Sequence, residues 1–107
     1  MVEVIGHRGA SSEAPENTLA SNNLAFHQGA DGVEVDVRLT KDNKLVCVHD
    51  KNALRTAGEE LIISESTFKQ LKSLDVGKWK GEEWQGEEIP SLEEVLQNIP
   101  SGKKIFI

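Results

Sequence analysis

Three short apolar runs within residues 1–50 each end in ionisable residues, and this pattern constrains the fold more than any other feature of the chain. His7 and Arg8 follow Val2-Glu3-Val4-Ile5-Gly6. Glu34 and Asp36 alternate with Val33, Val35 and Val37. His49 and Asp50 follow Leu45-Val46-Cys47-Val48. Charged groups beside buried apolar runs are costly unless they meet partners. The three ends therefore point to one convergent site, with two imidazoles for proton transfer, two carboxylates for a cation and a guanidinium for an anion.

Punctuation between the runs predicts an α/β alternation. Residues 9–17 carry Gly, Ser and Pro and read as a loop. Asn17 or Thr18 is placed to cap a helix over 18–28, which Gly29 stops. Residues 32–39 read as the clearest strand, Asp42-Asn43 as a turn, and 45–49 as the next strand. Residues 50–90 are rich in Gly, Lys, Glu and Trp and read as an irregular excursion. It holds one short helix, capped at Ser66-Thr67, with Phe68, Leu71 and Leu74 on one face. Ser91 and Glu94 form a capping box for a helix with Leu92, Val95, Leu96 and Ile99 as its apolar positions. Lys103 to Ile107 then starts another strand.

Composition narrows the function classes. The 107 residues include 12 Lys and Arg against 18 Asp and Glu, a formal net charge of −6. That balance argues against a nucleic-acid surface, which needs clustered basic charge. It leaves room for a small phosphate-containing substrate held locally by one Arg and a cation. The single cysteine, Cys47, excludes an internal disulfide and a multi-cysteine zinc site, and is expected in the core. No run approaches the roughly 20 apolar residues of a membrane span, and no signal peptide is visible. A cytoplasmic location is the expectation.

Side chains at i and i+2 of a strand share a face, so Glu34 and Asp36 are expected to point the same way. Two carboxylates so placed repel unless a cation lies between them, and an all-oxygen donor set suits Mg²⁺ or Ca²⁺. The tripeptide alone is equally compatible with a solvated charge ladder of Glu34, Asp36 and Arg38. His7 alone is compatible with a polar cap on the core, and His27 suits the C-terminal end of its helix without chemistry. Asp50 beside His49 can set the imidazole tautomer and raise its basicity. Trp79 and Trp84 either pack the irregular segment down or line a substrate mouth.

Taken in order, Gly6-His7-Arg8-Gly9, Pro15-Glu16-Asn17-Thr18, Glu34-Val35-Asp36 and Val48-His49-Asp50 closely resemble the glycerophosphodiester phosphodiesterase family, in segments spanning residues 4–50. Residues 89–107 look like the family's helix leading into its fourth barrel strand. The resemblance implies the N-terminal half of a TIM-type (β/α)8 barrel. Barrel strands 1–3 and helix 1 would fall in 1–50, a small insertion in 51–90 and strand 4 in 91–107. An eight-stranded barrel typically needs about 250 residues. The implied activity is metal-dependent hydrolysis of glycerophosphodiesters to glycerol 3-phosphate and an alcohol. His7 and His49 are then general base and acid, Glu34 and Asp36 bind Ca²⁺ or Mg²⁺, and Arg8 contacts phosphate. Glu16, Asn17 and Asp50 support the site. A third carboxylate is expected just past Ile107. Two alternatives accompany this reading: a related phospholipase-type phosphodiesterase, and a catalytically incomplete half-barrel that homodimerises through open sheet edges.

Overall fold

The computed structural model describes residues 2–107. β1 (Ile5–His7) leads through a loop into α1 (Leu19–His27) and then β2 (Gly32–Glu34). β1 and β2 pair in parallel, and the helix supplies the crossover that a parallel pair requires. α1 starts where Thr18 accepts a hydrogen bond from the Ser21 N–H and Ser21 reciprocates, so of the two candidate caps Thr18 is the one used.

β3 (Val37–Leu39) and β4 (Leu45–Cys47) form a separate antiparallel hairpin, turned at Asn43 with φ of 62°. α2 (Leu54–Ala57), a 3-10 turn at Ile63–Glu65, α3 (Phe68–Lys72) and a second 3-10 turn at Glu82–Trp84 follow. α4 (Leu92–Gln97), with the expected Ser91–Glu94 capping box, leads to β5 (Lys104–Phe106). β5 pairs in parallel with β2, so the sheet order is β1-β2-β5.

Four expectations need correction. The strand expected over 32–39 is two strands. The Val35 N–H still bonds the Phe106 carbonyl, but the Asp36 N–H bonds the Asn17 side chain, which breaks the ladder there. The 45–49 run is not a third barrel strand, because its ladder is antiparallel and belongs to the hairpin. The strand at 104–106 therefore takes third place in the parallel sheet, not fourth. Residues 51–90 are also more ordered than an irregular excursion, with two short helices and two 3-10 turns around apolar side chains of their own.

The core has two parts, and β4 feeds both. Cys47 joins Ala25, Ala30, Val33, Val35 and Val95 between sheet and helices. Val46 and Val48, alternate on the same run, join Ile63, Leu71, Val76 and Ile89 beneath the 51–90 segment. The two-residue period of a strand thus ties the segment to the sheet. Each fully buried aliphatic side chain of this kind contributes roughly 1.5–3 kcal/mol through removal from water. β1 and β5 are the edges of the parallel sheet, and Ile5 and Phe106 on them are exposed. No helix among the described residues is long and apolar enough to cross a membrane.

Candidate active site

His7 and Glu34 are register partners at the carboxyl ends of β1 and β2. Paired residues of neighbouring parallel strands share a face, and His7 Nε2 lies 3.7 Å from Glu34 Oε2. This is the end of a parallel α/β sheet at which ligands characteristically bind. One residue inward, Gly6 pairs with Val33, whose side chain is fully buried. A Cβ at Gly6 would sit 2.9 Å from the Gly9 carbonyl oxygen, so the turn after β1 closes only around glycine.

Arg8 follows with a φ of 54°, in the left-handed region. Non-glycine residues in that region carry strain and concentrate at functional sites. Asn17, with a φ of 56°, is a second such residue, and both converge on Asp36. Arg8 Nε stands 3.3 Å from Asp36 Oδ2, a charge contact without aligned hydrogen-bond geometry. Arg8 Nη1 reaches Glu16 Oε2 at 3.4 Å. Asn17 Nδ2 donates to Asp36 Oδ2 at 3.2 Å, and Asn17 Oδ1 accepts from the Asp36 N–H at 3.2 Å.

The second histidine arrives from the hairpin. The Val48 N–H bonds the Asp36 carbonyl at 3.0 Å, which draws the chain before His49 against the end of β2. Arg38 Nε and Nη2 donate to the His49 carbonyl at 2.9 and 2.7 Å, so Arg38 belongs to this support and not to a free surface ladder. His49 Nδ1 lies 2.9 Å from Asp50 Oδ1. Asp50 is held at a pKa of about 2 by its hydrogen bonds with Arg55 and with His49. An ionised carboxylate only accepts, so in this contact His49 donates from Nδ1, and Nε2 is the nitrogen left free.

Arg55 is the functional-looking residue that the sequence did not single out. Its Nη1 and Nη2 donate to Glu16 Oε1 and Oε2 at 2.9 and 2.8 Å. Its Nε and Nη2 donate to Asp50 Oδ2 and Oδ1 at 2.9 and 3.1 Å. These two carboxylates push the guanidinium pKa further up. Burial pushes the Glu16 carboxyl up, but Arg55 and Arg8 pull harder, and it ends below its ordinary value. Nothing in the run from Lys51 to Leu54 distinguishes Arg55 from the other basic residues of the chain.

The donor set around Glu34 suits a hard divalent cation. Glu34 Oε1 is buried and has no hydrogen-bond partner among the described residues. Such an oxygen is rare without a further ligand to accept its lone pairs. Glu34 and Asp36 supply carboxylates of the kind Mg²⁺ and Ca²⁺ take. Among the described residues no group of three or more His, Cys, Asp or Glu forms a complete metal cage. Cys47 is buried in the core with its thiol pushed up to about 12 by burial and the nearby Asp36 and Glu94 charges, as expected of a packing residue and not a nucleophile. Trp79 packs against the guanidinium of Arg55, 5.5 Å from its ring centre, and His27 takes no part in the site.

The geometry agrees with similarity to known proteins. A sequence model of the glycerophosphoryl diester phosphodiesterase family matches residues 7–107. The chain is 46% identical over 104 residues to a glycerophosphodiester phosphodiesterase of Caldanaerobacter subterraneus subsp. tengcongensis, covering 97% of this chain and 42% of that protein. It superposes with a TM-score of 0.94 and 33% identity on a crystal structure of glycerophosphodiester phosphodiesterase from Agrobacterium tumefaciens, covering 98% of this chain and 46% of the other. An Oleispira antarctica phosphodiesterase, solved in complex with the product sn-glycerol-3-phosphate, gives a TM-score of 0.92 at 43% identity over 98% of this chain and 43% of that one. The chain thus spans less than half the length of the relatives it matches.

Proposed function

This chain belongs to the glycerophosphoryl diester phosphodiesterase family, and from that membership we propose that it carries the first half of an active site hydrolysing glycerophosphodiesters to glycerol 3-phosphate and an alcohol. The supporting observation is the His7–Glu34 register pair, with Asp36 and Arg8 just beyond the same end of the sheet. In this reading the three parallel strands are consecutive strands of an α/β barrel, and residues 51–90 are an insertion packed at its catalytic end.

Glu34 and Asp36 would hold the divalent cation, Ca²⁺ or Mg²⁺. When bound, that ion supplies positive charge to the phosphoryl oxygens as negative charge develops there. Arg8 supplies a second positive charge and hydrogen-bond donors for the same oxygens. His7 removes the proton from the attacking hydroxyl, either a water, which gives glycerol 3-phosphate directly, or the glycerol hydroxyl beside the phosphate, which gives a cyclic phosphodiester that a water then opens to glycerol 3-phosphate. A proton taken up at its Nε2 faces the Glu34 carboxylate 3.7 Å away, which stabilises the imidazolium. His49 enters this step as the imidazolium, its Nδ1–H held by Asp50; it gives the proton on Nε2 to the departing alkoxide as the bond to phosphorus breaks and is left as the neutral ring protonated on Nδ1.

Incubation of the protein with glycerophosphocholine and Ca²⁺ or Mg²⁺ should release glycerol 3-phosphate, and Glu34→Ala should abolish the release. Replacing His49 with Ala should slow substrates with alkyl alcohol leaving groups far more than a nitrophenyl ester, which needs no acid. Equal losses on both would remove His49 from that role.

The exposed edge residues Ile5 and Phe106 favour a second reading, self-association through β1 and β5. A dimeric mass by light scattering, without turnover, would support it over the enzyme.

A further inference from the structure

The 51–90 segment brings one cation, Arg55, onto the carboxylates of the site. Arg55 sits on α2, whose first N–H is capped by Asn52 Oδ1 at 3.0 Å. Trp79 lies against its guanidinium and is itself pinned by a 2.9 Å bond from Nε1 to the Val76 carbonyl. Val76 is anchored in the core that Val46 and Val48 share. The guanidinium is therefore held from the segment by its helix and by Trp79, and from the site by the carboxylates it bonds.

Asp50 depends on that orientation. A carboxylate bonded to His49 through Oδ1 alone can swing about its χ angles and lose alignment with the imidazole. Here Arg55 binds both oxygens, Oδ2 through Nε at 2.9 Å and Oδ1 through Nη2 at 3.1 Å, and so fixes the carboxylate plane. The other edge of the fork grips Glu16, which also touches Arg8. One planar group thus links the partner of His49 to the partner of Arg8. A lysine at the same place would offer a point charge without the two-edged geometry.

We propose that Arg55 is a positioning residue that, through Asp50, keeps the permanent proton of His49 on Nδ1 and so leaves Nε2 as the nitrogen that takes up and passes on the second proton, so that docking of the 51–90 segment controls proton delivery at the site. The inference rests on the reading of His49 as proton donor, and it deepens that reading by assigning the control of this proton to a residue outside the catalytic set. No bond is made or broken by Arg55, and it does not touch the reacting atoms.

The test uses Arg55→Lys and Asp50→Asn in the same protein. ¹⁵N NMR of the His49 imidazole, recorded in its neutral form, reports which nitrogen carries the proton. The unaltered protein should show Nδ1 as the protonated nitrogen, and both variants should shift toward a mixture of tautomers. In kinetics, Arg55→Lys should lower kcat about 10–100-fold on an alkyl leaving group, the usual scale for a residue supporting a catalytic ligand. It should leave KM nearly unchanged and cost a nitrophenyl ester much less. An unchanged tautomer in folded Arg55→Lys would overturn the proposal, as would equal losses on the two leaving groups. If Arg55→Lys fails to fold, Arg55→Gln takes its place, and an unchanged tautomer there overturns the proposal. If the unaltered protein shows no turnover, the phosphodiesterase reading fails, while the NMR arm still decides the tautomer lock.

Discussion

Asn17 and Asp36 hold each other twice: the Asn17 amide donates to the Asp36 carboxylate, and the Asp36 backbone N–H donates to the Asn17 carbonyl, both at 3.2 Å. The second bond ends β2 by taking a backbone donor that the ladder would otherwise use. The first aims a carboxylate at the site. Asn17 is 2% exposed and left-handed, so one side chain terminates a strand, orients a candidate ligand and occupies a backbone region that favours Gly and Asn. Asn17→Ala should lose both bonds and add left-handed strain, for about 2–3 kcal/mol in urea unfolding. Asn17→Gly should cost about 1 kcal/mol less than that, because glycine removes the strain and not the bonds. Equal costs would show that the backbone conformation is not strained.

Cation binding should depend on Glu34 more than on any other single carboxylate. Its Oε1 is buried and unpartnered among the described residues, whereas Asp36 Oδ2 is already engaged by Asn17 and Arg8. Glu34→Gln should weaken Ca²⁺ or Mg²⁺ binding by calorimetry more than ~10-fold, since cation affinity follows ligand charge. Removing the metal with EDTA should abolish turnover, and restoring either ion should recover it. Unchanged binding in Glu34→Gln would place the cation elsewhere.

Acid should loosen the junction between the 51–90 segment and the site. Asp50 has its pKa depressed in the fold from 3.8 to about 2. A depressed carboxylate contributes its full stability above the unfolded value and loses it as pH falls through the folded one. Glu16, also net depressed, adds to the same slope. Urea midpoints should therefore fall between about pH 4 and pH 2, and Asp50→Asn should flatten that fall. An unaltered slope in Asp50→Asn would assign the loss to other carboxylates.

Leu71 is fully buried in the core of the 51–90 segment. Leu71→Ala should cost about 2–5 kcal/mol, by the usual scale for a cavity of this kind. Hydrogen exchange should rise first in residues 51–90, while Val33 and Val35, buried in the other cluster, keep their protection longer. Uniform loss across the chain would mean that the two clusters unfold as one unit.

Local chemistry was legible in the residues themselves. The apolar runs ending in His7 and Glu34, a helix cap at Asn17 or Thr18, the Ser91 cap and the burial of Cys47 follow from period, propensity and charge within a few neighbours; the structure shows these, with Thr18 as the first cap. Pairing between distant segments was not legible. An apolar run such as Leu45 to Val48 bonds equally well to a parallel or an antiparallel partner, so only the assembled chain decided that it closes a hairpin with Val37–Leu39. The same assembly placed Lys104–Phe106 beside β2. Arg55 shows the limit most clearly. Its two carboxylates lie five and thirty-nine residues away, and no local pattern marks a guanidinium for partners that only tertiary packing brings within 3 Å. The identities of the ionisable residues were written into the chain, but which of them share a charge is a matter of distance, and distance exists only once the backbone has closed.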